Sequence, residues 1–283
     1  MSKKVGVIGA GTMGIGVAHV FAEYGFEVIV VDNQPEALDK FDELLGKSYQ
    51  TQCFLGKPQR SLEAIKANIH KTTDKSLLLS IDYLIDNSTE SLEQKQALLS
   101  SLNKIIPATC LVIINTSCIP ITSLCHYIDN PKRMLGIHFM NPAPIKPFTE
   151  IIKTPLTSEH VLNEAKEMLK CIGKSGHVLN DNPGFVINRV FMVTINEAIK
   201  VFEEKVSESA SHTDDLFVKC LGHRMGPLMT ADLIGLDTIL HSLNVLNDSF
   251  KSEIYKPAQL LVDLVNQGKL GRKSGSGLYE YNK

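Results

Sequence analysis

The chain has 283 residues, with 29 Lys and Arg against 31 Asp and Glu and 43% hydrophobic residues. That is enough apolar material for one large core or two modest ones, and it excludes a disordered chain. The balanced charge excludes a global pull toward nucleic acid or anionic membrane, so any anionic ligand must be held by local features.

Met1-Ser2-Lys3-Lys4 leads into a short apolar run broken by glycines. It lacks the long apolar stretch of a signal peptide, and no segment has the length and apolarity of a membrane span. The six cysteines are scattered with no CxxC pair, so they are expected to be reduced thiols of a cytoplasmic protein. Residues 5–8 read as a buried strand ending at Gly9, followed by a helix with Val17, Val20 and Phe21 on one side and a stop at Gly25. Residues 28–31 read as a second buried strand. Residues 35–66 are helical and more polar, interrupted at Gly56-Lys57-Pro58, which predicts a helical arm.

Strand and helix then alternate: a strand at 83–86, a helix at 92–102, a strand at 111–114, a short helix at 121–128, and strands at 134–139 and 148–152. Thr157 or Ser158 can cap a helix carrying Val161, Leu162, Ala165, Met168 and Leu169 and ending at Gly173. Such alternation predicts an α/β, Rossmann-type doubly wound parallel sheet. The turn cluster at 180–184 places a domain boundary at Gly184. Beyond it the strand signal disappears, and helices at 186–202, 214–221, 229–246 and 258–265 predict an all-α domain over 185–283.

The first motif with chemistry is Gly9-Ala-Gly11-Thr-Met-Gly14, directly after the first strand. Gly9 permits a tight turn, Gly11 lets backbone approach a pyrophosphate, and Gly14 lets helix and strand pack closely. The helix start offers free N–H groups and a positive dipole end. Asp32, closing the second strand, suits ribose hydroxyls and repels a 2′-phosphate, which favours NAD over NADP. A second group of residues falls at the carboxyl ends of later strands: Glu90, Ser117 and His138. Each alone reads more readily as a plain structural residue, Ser117 in a turn and His138 at a strand end, but open parallel sheets bind ligands at that shared edge, which raises the functional reading. Glu150 could orient His138 as a carboxylate partner or sit in a surface ion pair. Asn188, in Pro183-Gly-Phe-Val-Ile-Asn188-Arg189, needs either a backbone or a ligand partner. Gly271-Arg-Lys273-Ser-Gly-Ser-Gly277 either folds over a phosphate or terminates the domain. The nine histidines are dispersed, with no HExxH or His/Cys cluster, so no metal site is expected.

Together with Asn115-Thr-Ser117, His138-Phe-Met-Asn141-Pro, Met225-Gly-Pro and Gly235-Leu-Asp237, these motifs resemble the 3-hydroxyacyl-CoA dehydrogenase family along nearly the whole chain. The resemblance implies NAD as cofactor and a short-chain 3-hydroxyacyl thioester, such as 3-hydroxybutyryl-CoA, as substrate. It implies His138 as catalytic base with Glu150 as its partner, and Ser117 and Asn188 on the substrate oxygens. It places Gly9, Gly11, Gly14, Asp32, Glu90, Lys95, Asn115, Asn141 and Lys273 around the cofactor, Ser48 on the CoA, and a homodimer through the C-terminal helices. One departure stands out: the family's second CoA-contacting residue, a lysine, falls on Leu55. Relatives that act on acyl carrier protein thioesters, making unusual polyketide extender units, share the His-Phe-Met-Asn-Pro motif. A carrier-protein substrate is therefore an alternative, with Lys47, Lys57, Arg60 and Lys66 as a basic docking surface. An NAD-binding structural or sensor protein without turnover is a further one.

Overall fold

The computed structural model describes residues 3–281. The chain divides between Asn182 and Pro183 into two compact units, each with its own core.

The first unit is an eight-stranded sheet. Its strands are β1 (Lys4–Ile8), β2 (Glu27–Val31), β3 (Ile69–Thr72), β4 (Tyr83–Asp86), β5 (Leu111–Ile114), β6 (Met134–His138), β7 (Phe148–Lys153) and β8 (Ser175–Asn180), in the spatial order β3-β2-β1-β4-β5-β6-β7-β8. β4 and β5 are buried at every position, as expected of short apolar runs covered on both faces. The chain order reverses between β1 and β4, which creates the crevice where such sheets take ligands. The helices are α1 (Thr12–Glu23), α2 (Pro35–Asp39), α3 (Phe41–Leu55), α4 (Leu62–Lys66), α5 (Leu92–Leu102) and α6 (Glu159–Cys171). Ser158 caps α6 by accepting from Val161 N at 3.3 Å, and Gly173 stops it with φ +67°.

Several expectations need correction. The sheet is not wholly parallel, because β7 runs antiparallel to β6. Two strands escaped the sequence reading. β3, Ile-His-Lys-Thr, is an edge strand with no fully buried position, and β8 opens on Ser-Gly, which reads as a turn. The segment expected as a helix at 121–128 is a 3-10 stretch, Ile121–Tyr127.

The second unit is helical: α7 (Ile187–Glu203), α8 (Ala210–Leu221), α9 (Pro227–Ile234), α10 (Leu236–Phe250) and α11 (Gln259–Asn266). The continuous helix expected over 229–246 is two helices, because Gly235 at φ +107° turns the backbone out of the helical region. The helix expected from residue 214 starts a turn earlier, capped by Ser209. Among the described residues this unit has only isolated bridges around Ser276.

Candidate active site

β1 delivers the chain into the glycine turn. Gly9 has φ +95°, and a Cβ there would lie 2.7 Å from the Asn87 carbonyl oxygen. A Cβ on Gly14 would lie 1.8 Å from the Gly9 oxygen, so helix and strand meet in backbone contact. A Cβ on Gly11 would meet nothing within 4 Å, which is the open approach a bulky anion needs. No side chain caps α1, so its first N–H groups remain available to an anion. The Asp32 carboxylate closes the turn, accepting from Ala10 N at 2.7 Å and Gln34 N at 2.9 Å. Free N–H donors at the helix start and a carboxylate acceptor beside them fit the diphosphate and adjoining ribose of a dinucleotide.

Further along the same edge, β6 and β7 place His138 and Glu150 directly opposite each other. Antiparallel partners project to one face, so pairing follows from register. His138 Nδ1 lies 2.8 Å from Glu150 Oε2, and both residues are buried. A hydrogen on Nδ1 donated to the carboxylate leaves Nε2 as the basic nitrogen. That Nε2 is 3.3 Å from Ser117 Oγ, on the turn after β5. Ser117 is held in turn by Glu90. Glu90 Oε1 accepts from Ser117 N at 2.9 Å, from Cys118 N at 3.0 Å and from the Thr116 hydroxyl. Four expected site residues, Glu90, Ser117, His138 and Glu150, are thus brought into one connected line.

The structure gives other expected residues internal partners. Lys95 is fully buried in an ion pair with Asp86 at 3.0 Å and also reaches the Ser88 carbonyl at 3.3 Å, bracing the turn that carries Glu90. Asn115 donates to Asn87 Oδ1 at 2.6 Å and accepts from Phe139 N at 3.1 Å, tying the ends of β4, β5 and β6 together. In the second unit, Asn188 stands in the first turn of α7. Lys273 bonds both Asp237 oxygens at 2.6 and 2.7 Å.

Ser48 and Asn141 line a cavity of about 240 Å³ between α1, α3 and the loop after β6, with Thr12, Lys47 and Pro144 among its walls. That loop is held from behind by Lys174, which sequence reasoning missed. Its ammonium donates to the Ala143 carbonyl at 2.6 Å and the Lys146 carbonyl at 2.8 Å. Burial lowers the Lys174 pKa to about 8, with Glu23 opposing the shift. His19 was also missed, although an ionisable residue inside the apolar run Val17-Ala-His-Val-Phe21 was a visible signal.

A sheet edge with an anion-binding helix start at one end and an imidazole oriented for proton transfer at the other defines an NAD-dependent oxidoreductase. Comparison with known proteins narrows the class. Residues 4–182 match the 3-hydroxyacyl-CoA dehydrogenase NAD binding domain, and residues 184–281 match the C-terminal domain of the same family. A probable 3-hydroxybutyryl-CoA dehydrogenase of Deinococcus radiodurans is 38% identical, over 98% of this chain and all of that protein. A 3-hydroxybutyryl-CoA dehydrogenase of Clostridioides difficile is 34% identical, over 99% of this chain and all of that protein. The crystal structure of (S)-3-hydroxybutyryl-CoA dehydrogenase from Ralstonia eutropha superposes with a TM-score of 0.90 at 33% identity, covering 100% of both chains. The chain belongs to the 3-hydroxyacyl-CoA dehydrogenase family and is an NAD-dependent oxidoreductase acting on a CH–OH group.

Proposed function

We propose that this enzyme interconverts a short-chain 3-hydroxyacyl-CoA and its 3-oxoacyl form, with His138 as the general base. The observation that carries this reading is the line Ser117–His138–Glu150, with Nε2 of the histidine facing the hydroxyl and Nδ1 facing the carboxylate. Bound NAD supplies the hydride acceptor. His138 Nε2 takes the substrate hydroxyl proton, and Glu150 stabilises the imidazolium that results. Ser117 Oγ holds the reacting oxygen, and Glu90 fixes Ser117 through its backbone. Asn188 serves the thioester carbonyl. Gly9, Gly11, Gly14 and Asp32 hold the ADP half of the cofactor, and Asn141 lines the site. Lys95 and Asn115 act through the turns they brace, and Lys273 acts through the tail it anchors. Ser48 contacts the carrier arm.

The exposed apolar side chains Val190, Leu216, Leu221 and Leu233 support a homodimer through the second unit. No helix among the described residues is long and apolar enough to cross a membrane, and a cytoplasmic location is proposed.

A carrier-protein thioester is the second reading, favoured by the end of α3. Leu55 is 59% exposed there and Phe54 is 88% exposed, an apolar tip where the family pattern has a lysine. The basic surface expected beside it is weaker than its count suggests. Lys47 is paired with Glu43 at 2.6 Å and Lys66 with Glu63 at 3.5 Å. The test is kcat/KM for one acyl group presented on CoA and on an acyl carrier protein, at low and moderate salt. Preference for CoA supports the first reading. Equal or better use of the carrier protein, declining with salt, supports the second. NADH binding without turnover of either thioester overturns both.

A further inference from the structure

The buried side of α1 carries two ionisable residues, His19 and Glu23, one helical turn apart and 0% and 1% exposed. Both act toward the arm. The Glu23 carboxylate accepts from Gln52 Nε2 at 3.1 and 3.0 Å and from Gln59 N at 2.5 Å. Only the NH2 end of an amide can serve a carboxylate, so Glu23 fixes which way Gln52 points and leaves Gln52 Oε1 as an acceptor. Gln52 Oε1 and His19 Nε2 are both buried without a hydrogen-bond partner among the described residues.

One of these atoms is an acceptor, and the other can carry a hydrogen. Burial lowers the pKa of His19, while Glu23 and the Gln52 amide raise it, the amide as a hydrogen acceptor would. The ring is neutral and has one hydrogen to place. On Nε2 the hydrogen has the Gln52 side chain as its neighbour, whose Oε1 is a buried acceptor without a hydrogen-bond partner among the described residues. On Nδ1 it would leave two acceptor atoms facing each other. Nδ1 is then a lone pair, 2.9 Å from Ser48 Oγ. The Ser48 hydroxyl donates to it.

Ser48 is half-buried on the wall of the cavity that also takes Thr12, Lys47 and Asn141. With its hydrogen committed to His19, Ser48 presents only lone pairs to that cavity. We infer that His19 is a positioning residue that fixes Ser48 as a hydrogen-bond acceptor, and that Ser48 therefore reads an amide N–H of the pantetheine arm rather than a phosphate. A phosphate oxygen needs a donor, and this serine has none to give. The inference rests on the thioester reading above. It adds that the contact is common to CoA and carrier-protein substrates, because both carry the same arm.

The first test needs no substrate, so it stands apart from the activity reading. Long-range 1H–15N correlation spectra of the 15N-labelled protein report the tautomer of His19, assigned by comparison with His19→Gln. A hydrogen on Nε2 is expected, and a hydrogen on Nδ1 overturns the inference. The second test uses two probes, acetoacetyl-CoA and acetoacetyl-pantetheine, which lacks phosphates. Ser48→Ala is expected to raise KM by about three- to ten-fold for both probes alike, the worth of one hydrogen bond, with kcat and the KM for NADH unchanged. A rise confined to the CoA probe shows that Ser48 serves a phosphate, and overturns the inference. His19→Leu should reproduce the Ser48→Ala shift, and the double variant should be no worse than either alone. His19→Gln, whose amide oxygen can accept from Ser48, should retain the low KM. An additive double variant would reduce His19 to a packing role and overturn its part.

Discussion

Two glycine-rich segments, residues 9–14 in the first unit and residues 271–277 in the second, set glycines beside charge in a similar way and are used in opposite ways. In the first, Gly11 faces open space. In the second, the space is already filled. A Cβ on Gly271 would lie 2.4 Å from the Asp232 carbonyl oxygen, and one on Gly277 would lie 2.3 Å from the Asp232 carboxylate. That carboxylate accepts from Leu278 N at 3.0 Å, Tyr279 N at 2.9 Å and the Tyr281 hydroxyl at 3.1 Å. Asp214 accepts from Leu228 N and Met229 N at the start of α9, and from the Tyr279 hydroxyl at 2.7 Å. The tail is tied down by two buried carboxylates, so it ends its domain as a structural knot. A glycine motif signals close approach, and what approaches, ligand or protein, depends on its surroundings.

If this contrast is right, changes at the edge of the first unit cost activity, and changes in the knot cost stability. The largest effect is expected at His138. His138→Gln should lower kcat by about 10²–10⁴-fold while the thermal midpoint and NADH binding hold. Glu150→Gln should act in the same direction and be non-additive with it. Steady-state kinetics with parallel thermal melts decide this, and near-normal turnover in His138→Gln would remove the base from the assignment.

A matched pair of glycine substitutions tests the contrast itself. Gly271 has φ +91° and a blocked Cβ direction, so Gly271→Ala should destabilise the protein by about 2–4 kcal/mol in urea melts. Gly11→Ala should leave stability within about 0.5 kcal/mol and weaken NADH binding instead. The reverse pattern would break the comparison.

The smallest effect concerns one lysine from each of the two units. Lys273 is half-exposed against Asp237, whereas Lys174 is buried against carbonyls with a pKa lowered to about 8 from an ordinary 10.5. Between those two values the unfolded chain holds a proton that the native chain has released. The Lys174 contribution to stability therefore rises with pH through that window. The difference in urea midpoint between wild type and Lys174→Met should shift in favour of wild type on going from pH 7.5 to 10. A pH-independent difference would show that Lys174 keeps its proton throughout.

Much of this was readable in advance because the signals are local. The strands at 83–86 and 111–114 and the helix at 92–102 are apolar runs or periodic faces bounded by caps and turns, and the structure has them at those residues. The edge strand β3 was not readable, because Ile-His-Lys-Thr is stabilised by its neighbour β2 and has little apolar pattern of its own. Gly235 was absorbed into one long helix because a single glycine is compatible with a helix, and only its backbone angle shows the break. The likeness to the family places Lys95 and Lys273 around the cofactor, but the sequence does not show that Asp86 and Asp237 are their ion-pair partners.

By itself the sequence determined the alternation of strand and helix, the glycine turn with Asp32, and which residue types could perform proton transfer, because these depend on neighbours a few positions apart. The tertiary structure decided which of those residues meet. His138 and Glu150 are twelve positions apart and become partners only through the antiparallel register of β6 and β7. Glu90 reaches the turn of Ser117 only because β4 and β5 lie side by side. Ser48 takes its orientation from His19 on a different helix. Hydrogen bonds act over about 3 Å, and a linear sequence carries no distances between residues far apart in it.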